Sequence, residues 1–202
     1  MSQKNKNIDP EMMSLFKIFG ISSLVMVLFI SLFDFKRPTI GEERSIMAID
    51  DASRLYFKNV RQLYYDREIR DDAMMNVYRF AKREIDEKQP LLNLSIIINR
   101  LKDEAYVFLE PSVIFEGEGS IQLRWLSEDK IRSGSIEFID GDRFDHYSFV
   151  EKIYPLLVEE ASFEVHLNGD WYPILKEQKE RDAFRITSFD YFRLTGREEI
   201  KK

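Results

Sequence analysis

The longest apolar stretch of the chain runs from Leu15 to Phe33, and its single charge is Lys17, near its beginning. At about 1.5 Å per residue, a helix of this length extends over roughly 28 Å, close to the thickness of a bilayer's hydrocarbon layer. The pattern predicts a transmembrane helix whose apolar side chains contact membrane lipid. They are Leu15, Phe16, Ile18, Phe19, Leu24, Val25, Val27, Leu28, Phe29, Ile30, Leu32 and Phe33.

Two other interpretations of this stretch fit the sequence less well. A cleaved signal peptide needs small residues after a shorter apolar core, whereas the bulky Leu32, Phe33 and Phe35 stand there. A buried helix of a soluble protein would show a polar face. We therefore expect an uncleaved anchor. The predicted organisation is a short tail at 1–14, the anchor at 15–35, a linker at 36–44, a soluble domain at 45–197 and a charged tail at 198–202.

Basic residues near the anchor do not decide on which side of the membrane the domain lies. Three precede or begin the apolar stretch and three come after it, so the positive-inside count is balanced. They are Lys4, Lys6, Lys17, Lys36, Arg37 and Arg44. A short tail before a first apolar segment is typical of a signal-anchor that exports the domain on its carboxyl side. We therefore expect a single-pass membrane protein with an extracytoplasmic domain.

The first part of the soluble domain shows apolar residues at helical spacing in two stretches, 45–65 and 69–81. Both are interpreted as helices. The second stretch is also compatible with strands joined by a charged loop, because its apolar residues are few and separated by charges.

From Pro90 onward the pattern is typical of β-structure. Two apolar runs, at 94–99 and 106–109, predict a hairpin, and alternating residues predict strands at 121–125 and 135–139. A second hairpin is indicated by Asn168-Gly169, a pair suited to a two-residue turn with positive φ values, between runs at 163–167 and 170–174. The β-branched and aromatic residues at 185–193 predict a final strand beside it.

One helix interrupts this β-structure, at residues 148–161, with its amino end at Ser148 or Asp145. Pro155 lies inside it and is expected to kink or divide it. The elements together predict an α+β domain in which an antiparallel sheet is covered by one or more helices.

Composition excludes several classes of function. The first 38 residues carry five Lys or Arg and three Asp or Glu, a net charge of +2, so the whole chain's −6 leaves −8 on the rest. A nucleic-acid-binding domain would need a basic surface instead. The absence of cysteine excludes disulfides, thiolate metal sites and a cysteine nucleophile, and two histidines are too few for a histidine-rich metal site. No motif for a nucleotide or another cofactor is present, so none is expected.

The candidate metal ligands are Asp140, Asp142, Asp145 and His146, which stand within seven residues just before the predicted helix. Several carboxylates in a tight loop are typical of a site for a hard cation such as Ca²⁺. The alternative is an ordinary turn whose aspartates cap the helix, and Asp-Gly is common turn chemistry.

Adjacent aromatic pairs give a second hint. On a strand, Tyr64-Tyr65 and Tyr191-Phe192 cannot both point inward, so we expect one residue of each pair at the surface, as at protein interfaces. The expected function is a membrane-anchored, non-catalytic interaction domain, an accessory subunit of a bacterial envelope complex with an unidentified protein partner. The alternatives are a membrane-tethered, metal-dependent hydrolase that uses residues 140–146, and a domain that binds a small ligand or lipid.

Overall fold

A computed structural model describes residues 10–32, 46–86 and 88–197 of the chain. The chain divides into two units, Met1–Gly41 and Glu42–Lys202. The predicted linker at 36–44 and the predicted tail at 198–202 lie outside the described residues.

The first unit contains helix α1 (Pro10–Leu32), whose side chains are exposed throughout residues 12–27. Within the described ranges, no helix combines the length and the apolar character that a membrane crossing requires. The transmembrane helix expected at residues 15–33 is therefore not confirmed, and it stays a prediction.

The second unit is an α+β domain that begins with a helical segment, as predicted for residues 45–65. Helix α2 (Asp51–Tyr56) continues into a π-helical turn (Phe57–Arg61) and a 3₁₀ turn (Gln62–Tyr64), and we call residues 51–64 the helical segment. Asp50 caps it, because its carboxylate accepts a hydrogen bond from the Ser53 N–H at 2.7 Å.

Two four-stranded antiparallel sheets come next, rather than the single sheet expected. The first has the order β1-β2-β3-β4 and the second β6-β5-β7-β8. The strands are β1 (Tyr65–Arg70), β2 (Met75–Phe80), β3 (Leu92–Asn99), β4 (Ala105–Pro111), β5 (Ile121–Leu126), β6 (Ser133–Phe138), β7 (Ser162–Leu167) and β8 (Asp170–Ile174). The helices among them are a 3₁₀ turn (Val113–Phe115), α3 (Arg143–Val158) and α4 (Gln178–Leu194).

Helices α3 and α4 join the two sheets into one core. Helix α4 lies on β2, β3 and β4, while α3 contacts β4, β6 and α4. Leu109 of the first sheet, Ile153 of α3 and Val165 of the second sheet belong to the same buried cluster. The expected α+β class is confirmed, and its helices bury the inner faces of both sheets.

Both predicted hairpins are confirmed, as β3–β4 and β7–β8. In the second, Asn168 and Gly169 have φ values of 53° and 92°, the left-handed conformation that the turn demands. The strands predicted at 121–125 and 135–139 are present as β5 and β6.

The helix predicted at residues 69–81 is wrong, because β1 and β2 form a hairpin there. Tyr78 and Phe80 alternate with Arg79, and their rings meet those of Phe57 and Tyr65 with centroids 5.2 and 5.7 Å apart. Phe57 and Tyr65 lie outside residues 69–81, so the periodicity within this stretch could not indicate the contact.

The final strand predicted at residues 185–193 is also wrong, since helix α4 occupies this region. The hydroxyl groups of Thr187 and Ser188 donate to the carbonyl oxygens of Ala183 and Phe184, one helical turn earlier. On this helix the aromatic pair Tyr191-Phe192 is buried completely, contrary to the expectation that one ring is exposed.

Candidate functional site

Residues 140–146 form the beginning of helix α3. The Asp142 carboxylate accepts a hydrogen bond from the Phe144 N–H at 2.7 Å, and the Asp145 carboxylate accepts one from the Asp142 N–H at 2.9 Å. This reciprocal capping box makes Asp142 the cap residue, three positions before Asp145 and six before Ser148, the two predicted amino ends. A side chain at Gly141 would collide with the Asp145 carboxylate. The helix continues through Pro155 to Val158 and is not divided.

His146 is buried, and each of its two ring nitrogens faces a polar partner. Its Nδ1 atom accepts a hydrogen bond from the Leu109 N–H of β4 at 3.1 Å, and its Nε2 atom lies 3.2 Å from an Asp140 oxygen. The imidazole packs against Phe108 and Phe138, with centroids 4.2 and 5.0 Å away. Burial lowers its pKa, although the nearby Asp140 carboxylate opposes this. The ring is therefore neutral, with its proton on Nε2, and it joins α3 to β4.

The four predicted metal ligands thus have roles in the fold, which matches the capping alternative for Asp142 and Asp145. Among the described residues, no group of three or more His, Cys, Asp or Glu side chains is arranged to hold a metal ion. The metal hypothesis stays a prediction, and a pair of substitutions at Asp142 tests it.

We expect Asp142→Ala to lower the free energy of unfolding by about 1 kcal/mol, because it removes the helix cap. Asp142→Ser keeps a capping oxygen but not a carboxylate, so its stability should stay near that of the wild type. Urea denaturation measures both, and calorimetry with Ca²⁺, Mg²⁺ and Mn²⁺ provides the control. Metal-dependent heat in the wild type that both variants lose would support a metal site instead.

A buried charge network joins the helical segment to α4. The Nε atom of Arg61 donates to both oxygens of Asp190, at 2.8 and 2.9 Å, and the Tyr65 hydroxyl donates to Asp190 at 2.6 Å. Asp190 is 2% exposed. The hydrogen bond to Asp190 raises the pKa of Arg61, while burial, with Asp190 adding to it, raises that of Tyr65. Arg61 and Asp190 thus form an ion pair between the helical segment and α4.

The π-helical turn places Arg61 for this contact. The Gln62 N–H donates to the Phe57 carbonyl oxygen, a spacing of five residues instead of four. This wider turn lets Phe57 point into the core while Arg61 reaches Asp190. Single π-helical turns are frequent at functional sites, so this position is a candidate for one.

A groove of about 520 Å³ lies beside this network. It runs between the helical segment, the end of β2 and the outer face of α4. Its apolar walls include Leu63, Tyr64 and Ile186, and its cationic side chains are Arg61, Lys82 and Lys179. This volume is within the usual range for ligand pockets.

The helical segment presents apolar side chains to solvent next to the groove. Leu55 is 60% exposed, Val60 44%, Leu63 82% and Tyr64 51%; we call these four residues the apolar stripe. Tyr65 is buried while Tyr64 is exposed, which confirms the expectation for this aromatic pair. Large exposed apolar side chains next to a pocket make this segment a candidate binding surface.

Two other cavities are weaker candidates for a ligand site. The larger, about 930 Å³, lies at the end of the second sheet, and its wall includes the carboxylates of Glu164 and Glu160, which pair with Arg124 and Arg181. The smaller, about 280 Å³, includes Glu116 and Glu118 in its wall, which would repel an anion.

The sequence contained one signal for this site, the exposed member of the Tyr64-Tyr65 pair. It did not indicate Arg61 or Asp190, which are separated by 129 positions. Asp190 lies in the region predicted as a strand, where alternation would not have distinguished a buried carboxylate from an exposed one.

The comparisons with known proteins place the chain in no family. No family model matches it, and no curated protein or solved structure matches it significantly. The α+β class is therefore as far as identification goes, and function must be argued from the residues themselves.

Proposed function

We propose that this chain is a membrane-anchored, non-catalytic protein whose α+β domain binds a protein partner through the apolar stripe and the adjoining groove. The observation that carries the proposal is the exposure of Leu55, Val60, Leu63 and Tyr64 on one helical segment, whose Leu63 and Tyr64 also line the groove. Burying such side chains against a partner would remove apolar surface from water, at roughly 25 cal/mol per Å².

The membrane part of the proposal is supported by the sequence alone. Residues 15–33 carry one charge in 19 positions, and lipid is the environment that such a run prefers. Lys17 can extend its ammonium group to the interface. The balanced flanking charges do not decide the side of the membrane, and we propose that the domain is extracytoplasmic. An accessory subunit of an envelope complex fits a small anchored domain of this kind.

Purification from native membranes tests both parts together. We expect the full-length protein to stay in the membrane pellet after a carbonate wash, and to leave it in mild detergent with a stoichiometric partner. Leu63→Asp should lose this partner but not the membrane association, because a charge at this 82% exposed position disrupts an apolar contact and not the fold.

Leu101→Asp is the matched control, since Leu101 is 73% exposed but lies in the β3–β4 turn. It should keep the partner. Release by carbonate would contradict the anchor, and equal retention of the partner by both variants would contradict the role of the apolar stripe.

A further inference from the structure

We propose that the groove recognises a carboxylate on the partner, an acidic side chain flanked by large apolar residues in a peptide segment. This inference rests on the proposed function and specifies its chemistry. It is drawn from the free donors of Arg61, the charge balance of the groove and the apolar walls beside them.

Arg61 uses only one of its three nitrogens for Asp190. Both hydrogen bonds come from Nε, and across the described residues the two Nη nitrogens have no hydrogen-bond partner. The guanidinium lines the groove, with its central carbon 4.9 Å from the centroid of the Tyr64 ring. The paired N–H groups of a guanidinium match the two oxygens of a carboxylate.

The guanidinium is also held in place before any ligand arrives. Asp190 is buried and is fixed in turn by the Tyr65 hydroxyl, so the arginine does not have to be ordered on binding. Ordering a long side chain is a cost of association, and a positioned arginine avoids much of it.

The charges around the groove favour an anion. Asp190 largely neutralises Arg61, so the net positive charge comes from Lys82, which has no ion pair within the described part of the chain. Lys179 pairs with Glu84 at 2.9 Å. The carboxylate in the groove wall, Asp182, is already bonded to Arg185 at 2.7 Å and to Gln178 at 3.0 Å.

The apolar walls indicate a peptide rather than a small carboxylate. Leu63, Tyr64 and Ile186 line the groove together with Arg61. Leu55 and Val60 are exposed apolar side chains of the same helical segment. A ligand that contacts both the guanidinium and the apolar side chains carries apolar groups beside its carboxylate, as the sequence Leu-Glu-Leu does.

Methyl NMR on the full-length protein in neutral detergent tests the inference. The probes are the capped peptide Ala-Leu-Glu-Leu-Ala, its Leu-Gln-Leu counterpart and octanoate, each titrated to about 5 mM, a range that detects even millimolar affinity. We expect the Glu peptide to shift the methyl signals of Leu63 and Ile186, but not that of the distant Ile131. It should bind about tenfold more tightly than the Gln peptide, because a charge-assisted hydrogen bond is lost with the carboxylate.

Lys82→Ala should lower the affinity for the Glu peptide several-fold. Lys102→Ala, at an exposed lysine of the β3–β4 turn, should leave this affinity unchanged. Equal affinity for the Glu and Gln peptides would overturn the carboxylate while leaving the apolar stripe as a partner surface, which the Leu63→Asp purification tests separately. Octanoate binding as tightly as the Glu peptide would overturn the peptide ligand. Absence of any shift with the Glu peptide would overturn the inference altogether.

Discussion

The variant Arg61→Met is expected to lose about 3–5 kcal/mol of the free energy of unfolding, because it leaves Asp190 buried without its positive partner. Asp190 is 2% exposed, and the Tyr65 hydroxyl is its only other hydrogen-bond donor in the described part of the chain. A neutral donor does not compensate the desolvation of a full charge. Methionine retains much of the apolar stem, so the loss reports chiefly on the charge.

Urea denaturation monitored by circular dichroism measures this effect in the full-length protein. Lys58→Met is the matched control, since Lys58 is exposed in the same π-helical turn. This variant should change the free energy of unfolding by no more than about 0.5 kcal/mol. The double variant Arg61→Met/Asp190→Asn should recover most of the loss, because no buried charge remains unpaired while Tyr65 keeps an acceptor. A loss of less than about 1 kcal/mol in the single variant would mean that the pair contributes little to stability.

A second large effect is expected from His146→Ala, which should cost about 3 kcal/mol, because it removes a buried ring and leaves the Leu109 N–H without an acceptor. Two further variants separate these causes. His146→Phe keeps an aromatic ring between Phe108 and Phe138 but loses the hydrogen-bond acceptor. His146→Asn keeps an acceptor oxygen near the Nδ1 position but loses the ring. If the hydrogen bond matters, His146→Phe should cost about 1–3 kcal/mol.

The stability of the wild type should also fall with acidity. Burial lowers the pKa of His146 in the folded state, while the Asp140 carboxylate facing Nε2 and the nearby Asp142 and Asp145 oppose this. The unfolded chain therefore binds the proton first. The stabilisation is complete above the ordinary histidine pKa of about 6.5, and it is lost as the pH falls from there through the lowered pKa of the folded state. Urea midpoints at about pH 7.5 and 5.5 should differ in the wild type, and this difference should shrink in His146→Phe. An unchanged difference would assign the acid sensitivity to other groups.

Several elements of this fold could be predicted from the sequence alone. Local patterns determined the hairpin with Asn168-Gly169, the strands β3 to β6 and the helical segment, because turn chemistry and periodicity act within a few residues. They also located the acidic start of α3, although not its first residue. The long apolar run at residues 15–33 is a property of the sequence itself, and its insertion into a membrane stays a prediction.

Other features depended on contacts between distant residues. The β1–β2 hairpin packs against the Phe57 ring of the helical segment. Helix α4 buries both Tyr191 and Phe192 because a helix, unlike a strand, can turn neighbouring residues toward one core. The candidate site has the same origin, since Arg61 and Asp190 meet only after α4 has packed on the first sheet. The sequence by itself therefore determined the class of the domain and most of its local elements. Only the tertiary structure decided which charged residues become buried, because burial depends on what packs against them.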